Sequence, residues 1–128
     1  MNEDAIVEAI RAVINESHPE QSQSHPERSR RITRLKTDIG DDTAVWQPSR
    51  SHRSAISTDM LVEGVDFTRD SMSLEDVGWR AMAANVSDLA ATGARPVLAT
   101  VALGLPQAST TEEVLEIYRG LAACAAQY

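Results

Sequence analysis

The stretch Ser73-Leu74-Glu75-Asp76-Val77-Gly78-Trp79-Arg80-Ala81-Met82-Ala83-Ala84-Asn85-Val86-Ser87-Asp88-Leu89-Ala90-Ala91-Thr92-Gly93-Ala94-Arg95-Pro96 decides how this chain folds. Ser73 suits the orphan amides of a helix start, and Asp76 sits at the capping-box spacing. Val77, Ala81, Met82, Val86, Leu89 and Ala90 form one apolar stripe at helical spacing. Gly93 suits a left-handed cap and Pro96 forbids continuation, so the pattern predicts a helix over 74–92. Downstream, Val97-Leu98-Ala99-Thr100-Val101-Ala102-Leu103 reads as a buried strand within 95–105, stopped by Gly104 and Pro106. Thr110 and Glu113 repeat the capping-box pattern. Val114, Tyr118, Leu121, Ala122 and Ala125 then predict a second amphipathic helix over 111–126.

Upstream, Ile6, Ala9, Ile10 and Val13 recur at helical spacing and predict a helix over 3–15. Thr43-Ala44-Val45-Trp46-Gln47 and Ser54-Ala55-Ile56-Ser57-Thr58 are strand-like runs, separated by a Pro/Ser/Arg turn at 48–53. The expected order is helix, strand, strand, helix, strand, helix. A chain that ends on such a helix is expected to continue into a further strand.

Between the first helix and the first strand lies an echo, Ser17-His18-Pro19-Glu20-Gln21-Ser22 followed by Ser24-His25-Pro26-Glu27-Arg28-Ser29, with no aliphatic residue before Ile32. So little apolar surface cannot offset the entropy of ordering, and 17–31 reads as an exposed polar loop. Its paired histidines admit metal binding, and the cluster Arg28, Arg30, Arg31 and Arg34 at its end and just beyond admits an anionic ligand; a solvated low-complexity insertion and a solvated charge run explain these more simply.

The chain has 128 residues, 42% hydrophobic and 24% charged, with a formal charge of −7. That is enough for one domain with a core. The acidic balance speaks against a general nucleic-acid binder. The longest nearly apolar run, Val97 to Leu105, is far short of the ~20 residues a membrane helix needs. The single Cys124 and the lack of a basic-then-apolar leader point to a reducing, cytoplasmic setting.

Three polar clusters stand in apolar surroundings: Asp41-Asp42 after Gly40, Ser57-Thr58-Asp59 at a predicted strand end, and Asn85, Ser87 and Asp88 within the predicted helix. Each has a plain structural explanation. Gly-Asp-Asp is turn chemistry, Ser-Thr-Asp suits a bend or cap, and Asp88 can pair with Arg80 or Arg95. Asp88 shares a helix face with Asn85 beside the apolar stripe, where an unpaired buried carboxylate is costly. Taken together, oxygen-only ligands with no His or Cys nearby suit Mg²⁺ or another hard cation held against a polyanion. No Walker-type loop and no Gly-x-Gly-x-x-Gly occurs, so a nucleotide would be held through cations. A plain calcium domain is disfavoured because no acidic loop has EF-hand spacing.

Three runs in order, Gly40-Asp41-Asp42-Thr43-Ala44-Val45, Ile56 through Phe67, and Gly78 through Pro96, resemble the thiamine-monophosphate kinase family over about residues 39–128. The resemblance implies an α+β N-terminal domain of the aminoimidazole-ribotide-synthetase-like superfamily. It further implies a mixed sheet with helices packed on one face, and strands that join a second copy in a dimeric β-barrel. Residues 1–38 are then an N-terminal helix with a polar insertion. Residues 39–128 are an ATP- and Mg²⁺-binding domain, cut before the family's Gly-Gly-Asp motif.

Carried over position by position, the resemblance implies Asp42, Ser57, Thr58, Asp59 and Asp88 as metal ligands, and assigns no catalytic side chain. The position of Asp66 is usually a histidine that touches the thiamine substrate; here an aspartate stands in that substrate-binding place. The implied reaction passes the ATP γ-phosphoryl group to thiamine monophosphate, with Mg²⁺, ATP and a homodimer as cofactor, co-substrate and assembly, and with neither nucleic acid nor membrane as partner. Two other readings remain open. One is another ATP-using member of the superfamily, such as an aminoimidazole-ribotide or selenophosphate synthetase. The other is a non-catalytic dimerisation module, since the chain alone is expected to have little kinase activity.

Overall fold

A computed structural model describes residues 3–17, 33–37, 45–48 and 53–128. Its elements are helix α1 (Glu3–Ser17), strands β1 (Thr33–Thr37) and β2 (Val45–Pro48), and helices α2 (Leu74–Ala91) and α3 (Thr111–Ala125). All three predicted helices form, with ends that move by one or two residues.

Local chemistry sets those ends. Ser73 Oγ accepts the Asp76 amide at 3.1 Å and starts α2, while its hydroxyl donates to the Asp76 carboxylate at 2.7 Å. At the other end Gly93 takes a φ of 69°. The Gly93 amide then donates to Ala90 O and the Ala94 amide to Leu89 O, both at 2.9 Å. These are the paired bonds of a Schellman cap, which only a residue at ease with positive φ closes without strain. Helix α3 opens with a full capping box, Thr110 Oγ1 accepting the Glu113 amide and Glu113 Oε2 accepting the Thr110 amide. Such a cap contributes about 1 kcal/mol.

The core lies between the helices. Helix α3 packs against both α1 and α2, and more extensively against α2. Val114, Ile117, Leu121, Ala122 and Cys124 of α3 are buried with Ile10 and Val13 of α1 and Val77 and Val86 of α2. Gly78 of α2 and Gly120 of α3 allow that close crossing. A methyl at Gly78 would overlap the carbonyl of Ile117, and one at Gly120 the carbonyl of Glu75 and the amide of Trp79.

The strands depart from the sequence reading. Strand β1, which was not predicted, pairs antiparallel with β2 in the register Arg34↔Gln47 and Leu35↔Trp46, with an irregularity between Leu35 and Thr37. Residues 54–58 and 95–105, both predicted as strands, form none. Nor is the second of them buried: Val97, Leu98, Val101 and Leu103 are exposed. A strand exists only through a hydrogen-bonded neighbour, and neither segment has one among the described residues. The consecutive apolar side chains of 97–103 suit a strand covered on both faces. Among the described residues no layer covers them. The expected loop at 17–31 lies, from residue 18 onward, outside the described residues. So does Asp42 with the Gly-Asp-Asp turn.

Candidate metal centre

Of the residues predicted to hold a metal, the structure brings two together. Ser57 Oγ donates to Asp88 Oδ2 at 2.8 Å. Ser57 belongs to the irregular segment 53–62, and Asp88 to the last turn of α2, so the bond joins two of the three polar clusters. Ser57 is partly buried, whereas Thr58 and Asp59 are exposed. Asp59 Oδ1 accepts the amide of its neighbour Met60 at 2.8 Å.

Asp88 itself is exposed. The burial penalty anticipated for it therefore does not arise. Nor is it paired with Arg80 or Arg95 among the ion pairs of the described residues. Arg80 instead donates to the backbone carbonyl of Asp66 at 2.8 Å. Asn85 donates to the carbonyl of Ala81 at 3.0 Å, a bond within its own helix.

The electrostatics at Asp88 still favour a cation, for another reason. A helix C-terminus carries partial negative charge, and a carboxylate in its last turn adds to it. No basic residue stands in the last turn of α2. Among the described residues, the Ser57 hydroxyl donates to that carboxylate through Oδ2 and no donor meets Oδ1.

The donor set fits a hard divalent ion. It consists of hydroxyl and carboxylate oxygens on Ser57, Thr58, Asp59 and Asp88, with no nitrogen or sulfur among them. Among the described residues no three His, Cys, Asp or Glu side chains gather to hold a metal on their own. Of the predicted ligands, Ser57 and Asp88 are thus the two that meet among the described residues.

Asp66 has a local task that sequence reasoning missed. Its Oδ2 accepts the Val62 amide at 2.8 Å, closing a turn that also carries Asp66 N→Val62 O and Gly64 N→Phe67 O, each at 2.8 Å. A short polar side chain four residues after the amide it caps, with an intervening glycine, is the available sequence signal. A second unforeseen feature is Arg69, which bonds both Glu63 and Glu113. Glu113 is held below the usual carboxylate range, chiefly by the Thr110 amide and next by Arg69. A recess of about 320 Å³ lies beside this pair, lined by Glu63, Arg69, Pro106, Ala108, Ser109 and Glu113. None of the predicted metal ligands lines it. No helix among the described residues is long and apolar enough to cross a membrane.

Known proteins resemble the chain in the region that carries these residues. The family described as AIR synthase related protein, N-terminal domain, matches residues 40–128. A thiamine-monophosphate kinase of Rhodopirellula baltica is 42% identical over 108 residues, which is 79% of this chain and 34% of that protein. One from Synechococcus elongatus is 44% identical over 89 residues, 70% of this chain and 27% of that protein. One from Bacillus subtilis is 36% identical over 83 residues, 65% and 26% respectively. The chain thus spans between about a quarter and about a third of the length of these curated relatives. No solved structure matches it.

Proposed function

The chain belongs to the AIR synthase related family, whose N-terminal domain it carries over residues 40–128, and on that footing we propose that it is the N-terminal part of a thiamine-monophosphate kinase. The reaction is transfer of the γ-phosphoryl group of ATP to the phosphate of thiamine monophosphate, giving thiamine diphosphate and ADP. Both reactants are anions, so the obstacle is their mutual repulsion. Magnesium bound at the site supplies positive charge between the two phosphates.

The residues that hold it are Asp42, Ser57, Thr58, Asp59 and Asp88. Ser57 orients the Asp88 carboxylate through its hydroxyl, fixing one oxygen and leaving the other to the ion. Asp59 and Thr58 present their oxygens to solvent, where a phosphate can approach. Asp66 keeps one carboxylate oxygen outside its turn for the thiamine side of the site. No general base is required of the chain, because the acceptor phosphate is already ionised near neutral pH.

The exposed apolar segments support a second element of the proposal. Ile56 and Val65 are 85% and 80% exposed, and Val97, Leu98, Val101 and Leu103 join them. Unpaired apolar strand-like segments seek a sheet edge. In the assembled protein, 54–58 and 97–103 become strands of a mixed sheet that closes a β-barrel with a second copy. A single buried free cysteine suits a cytoplasmic setting.

The observation that carries the proposal is the Ser57–Asp88 bond, which joins two separate oxygen-rich motifs at the negative end of a helix. The test is ADP release from Mg²⁺ and ATP by a protein of the relatives' full length that carries this chain as its N-terminal part. Turnover with thiamine monophosphate, and not with the acceptors of other superfamily members, is expected. Turnover with one of those other acceptors instead would assign the chain elsewhere in the superfamily. The 128-residue chain alone is expected to give little ADP.

A further inference from the structure

The segment from Ser57 to Ser73 runs back beside α2 without regular secondary structure, yet it is fastened at three levels. At its start Ser57 bonds Asp88. In its middle the carbonyl of Asp66 accepts from Arg80, eight residues or about 12 Å nearer the N-terminus of α2. Near its end Arg69 leaves α2 altogether and bonds Glu113 on α3.

Arg69 has an unusual number of tasks for one side chain. It sits in the turn Thr68–Met72, where the Ser71 and Met72 amides both donate to Thr68 O at 3.0 Å. Its Nε donates to Glu63 at 3.3 Å, in the preceding turn, and its Nη1 donates to Glu113. Glu113 in turn accepts the Thr110 amide at 2.7 Å and so closes the cap of α3. One guanidinium therefore clips two turns together and docks both on the first turn of α3. An isolated exposed ion pair contributes little, but a network that shares a backbone cap has fewer ways to relax.

We propose that Arg69 is a positioning residue whose bond to Glu113 holds the Ser57–Ser73 segment on the α2–α3 pair and so keeps Ser57 against Asp88. The turns at 62–67 and 68–72 are each closed by their own backbone bonds, so displacement of Arg69 moves them as units and pulls on the short connection back to Ser57. The positional part of this inference stands on the geometry alone. Its consequence for cation affinity rests on the site proposed above.

The test uses the 128-residue chain, isotopically labelled, with the Asp88 carboxyl carbon as reporter. Ser57→Ala shifts that resonance by removing its hydrogen bond. Arg69→Ala is expected to shift it in the same direction by at least half as much. Arg69→Lys, which keeps a cation, recovers part of the shift, and Glu113→Gln reproduces the loss if Arg69→Ala does not fold. An unfolding cycle supplies a second readout. The effects of Ser57→Ala and Arg69→Ala on the unfolding constant should combine to at least threefold less than their product. An Asp88 resonance unmoved by Arg69→Ala and Glu113→Gln, or a cycle that multiplies cleanly, overturns the proposal. Mn²⁺ affinity is expected to fall at least threefold in Arg69→Ala. If the parent chain takes up no Mn²⁺ while the resonance still moves, the cation site falls and the brace stands.

Discussion

Ser57 and Asp88 are thirty-one residues apart in sequence and 2.8 Å apart in space. The bond crosses from an irregular segment to the final turn of α2, where the helix dipole and the carboxylate share one sign. A hydroxyl that steadies a carboxylate without neutralising it is what a cation site requires of its surroundings.

Asp59→Asn, in a protein of the relatives' full length, keeps the shape of the side chain but removes its negative charge. Turnover is expected to fall on the order of a hundredfold or more, because charge neutralisation by a metal is a matter of several kcal/mol in such transfers. The far-ultraviolet circular dichroism should not change, since among the described residues Asp59 bonds only the amide next to it. Parallel assays over a Mg²⁺ series check this.

The crossing of α2 and α3 predicts the sign of two substitutions that helix propensity alone gets backwards. Alanine is favoured over glycine inside a helix by about 1 kcal/mol. At Gly78 and Gly120 the added methyl meets the other helix's backbone, which cannot swing aside as a side chain does. Gly78→Ala and Gly120→Ala should each lower stability by about 3 kcal/mol or more. Urea denaturation of the two variants measures it, and an unchanged or raised midpoint would refute the crossing.

Acid should loosen the start of α3. Glu113 is held below its ordinary value by the Thr110 amide and by Arg69. A carboxyl depressed in the folded state adds stability above its unfolded pKa, and that stability is lost as pH falls through the lower folded value. The Thr110 amide proton should therefore titrate with a midpoint below the usual carboxylate range of about 4.3. Glu113→Gln should flatten the curve.

Cys124 is fully buried on the inner face of α3, and burial pushes its thiol pKa up. Both effects suppress the thiolate that reacts. Labelling by a maleimide should track unfolding of the chain, and rapid labelling at neutral pH without denaturant would contradict the packing.

What the sequence disclosed, and what it withheld, follows from the range of each interaction. Ser73, Gly93, Thr110 and Glu113 act within one helical turn, so the ends of α2 and α3 are legible from spacing alone. The buried Val114, Leu121 and Ala122 are legible from helical period, whereas the buried Ile117 lay outside the predicted stripe. Residues 54–58 and 97–103 have the composition of strands, but a strand depends on partners that local pattern cannot supply. Strand β1 is the converse: Thr33-Arg34-Leu35-Lys36-Thr37 has one aliphatic residue and pairs through its backbone with β2. At the site, the family resemblance implied Ser57 and Asp88 as ligands, and their meeting needed the fold. The turn closure by Asp66 and the three-way brace by Arg69 went unread because such tasks leave no periodic trace.

In the proposed metal centre, oxygens of the 57–59 segment and of Asp88 converge on one divalent cation. Paramagnetic broadening by Mn²⁺ in the nuclear magnetic resonance spectrum of the labelled chain tests it most directly. The prediction is selective broadening at Ser57, Thr58, Asp59 and Asp88, reversed by excess Mg²⁺ and weakened by Asp88→Asn. Broadening centred on other acids, such as Glu112 and Glu116, with residues 57–59 and 88 left sharp, would contradict it.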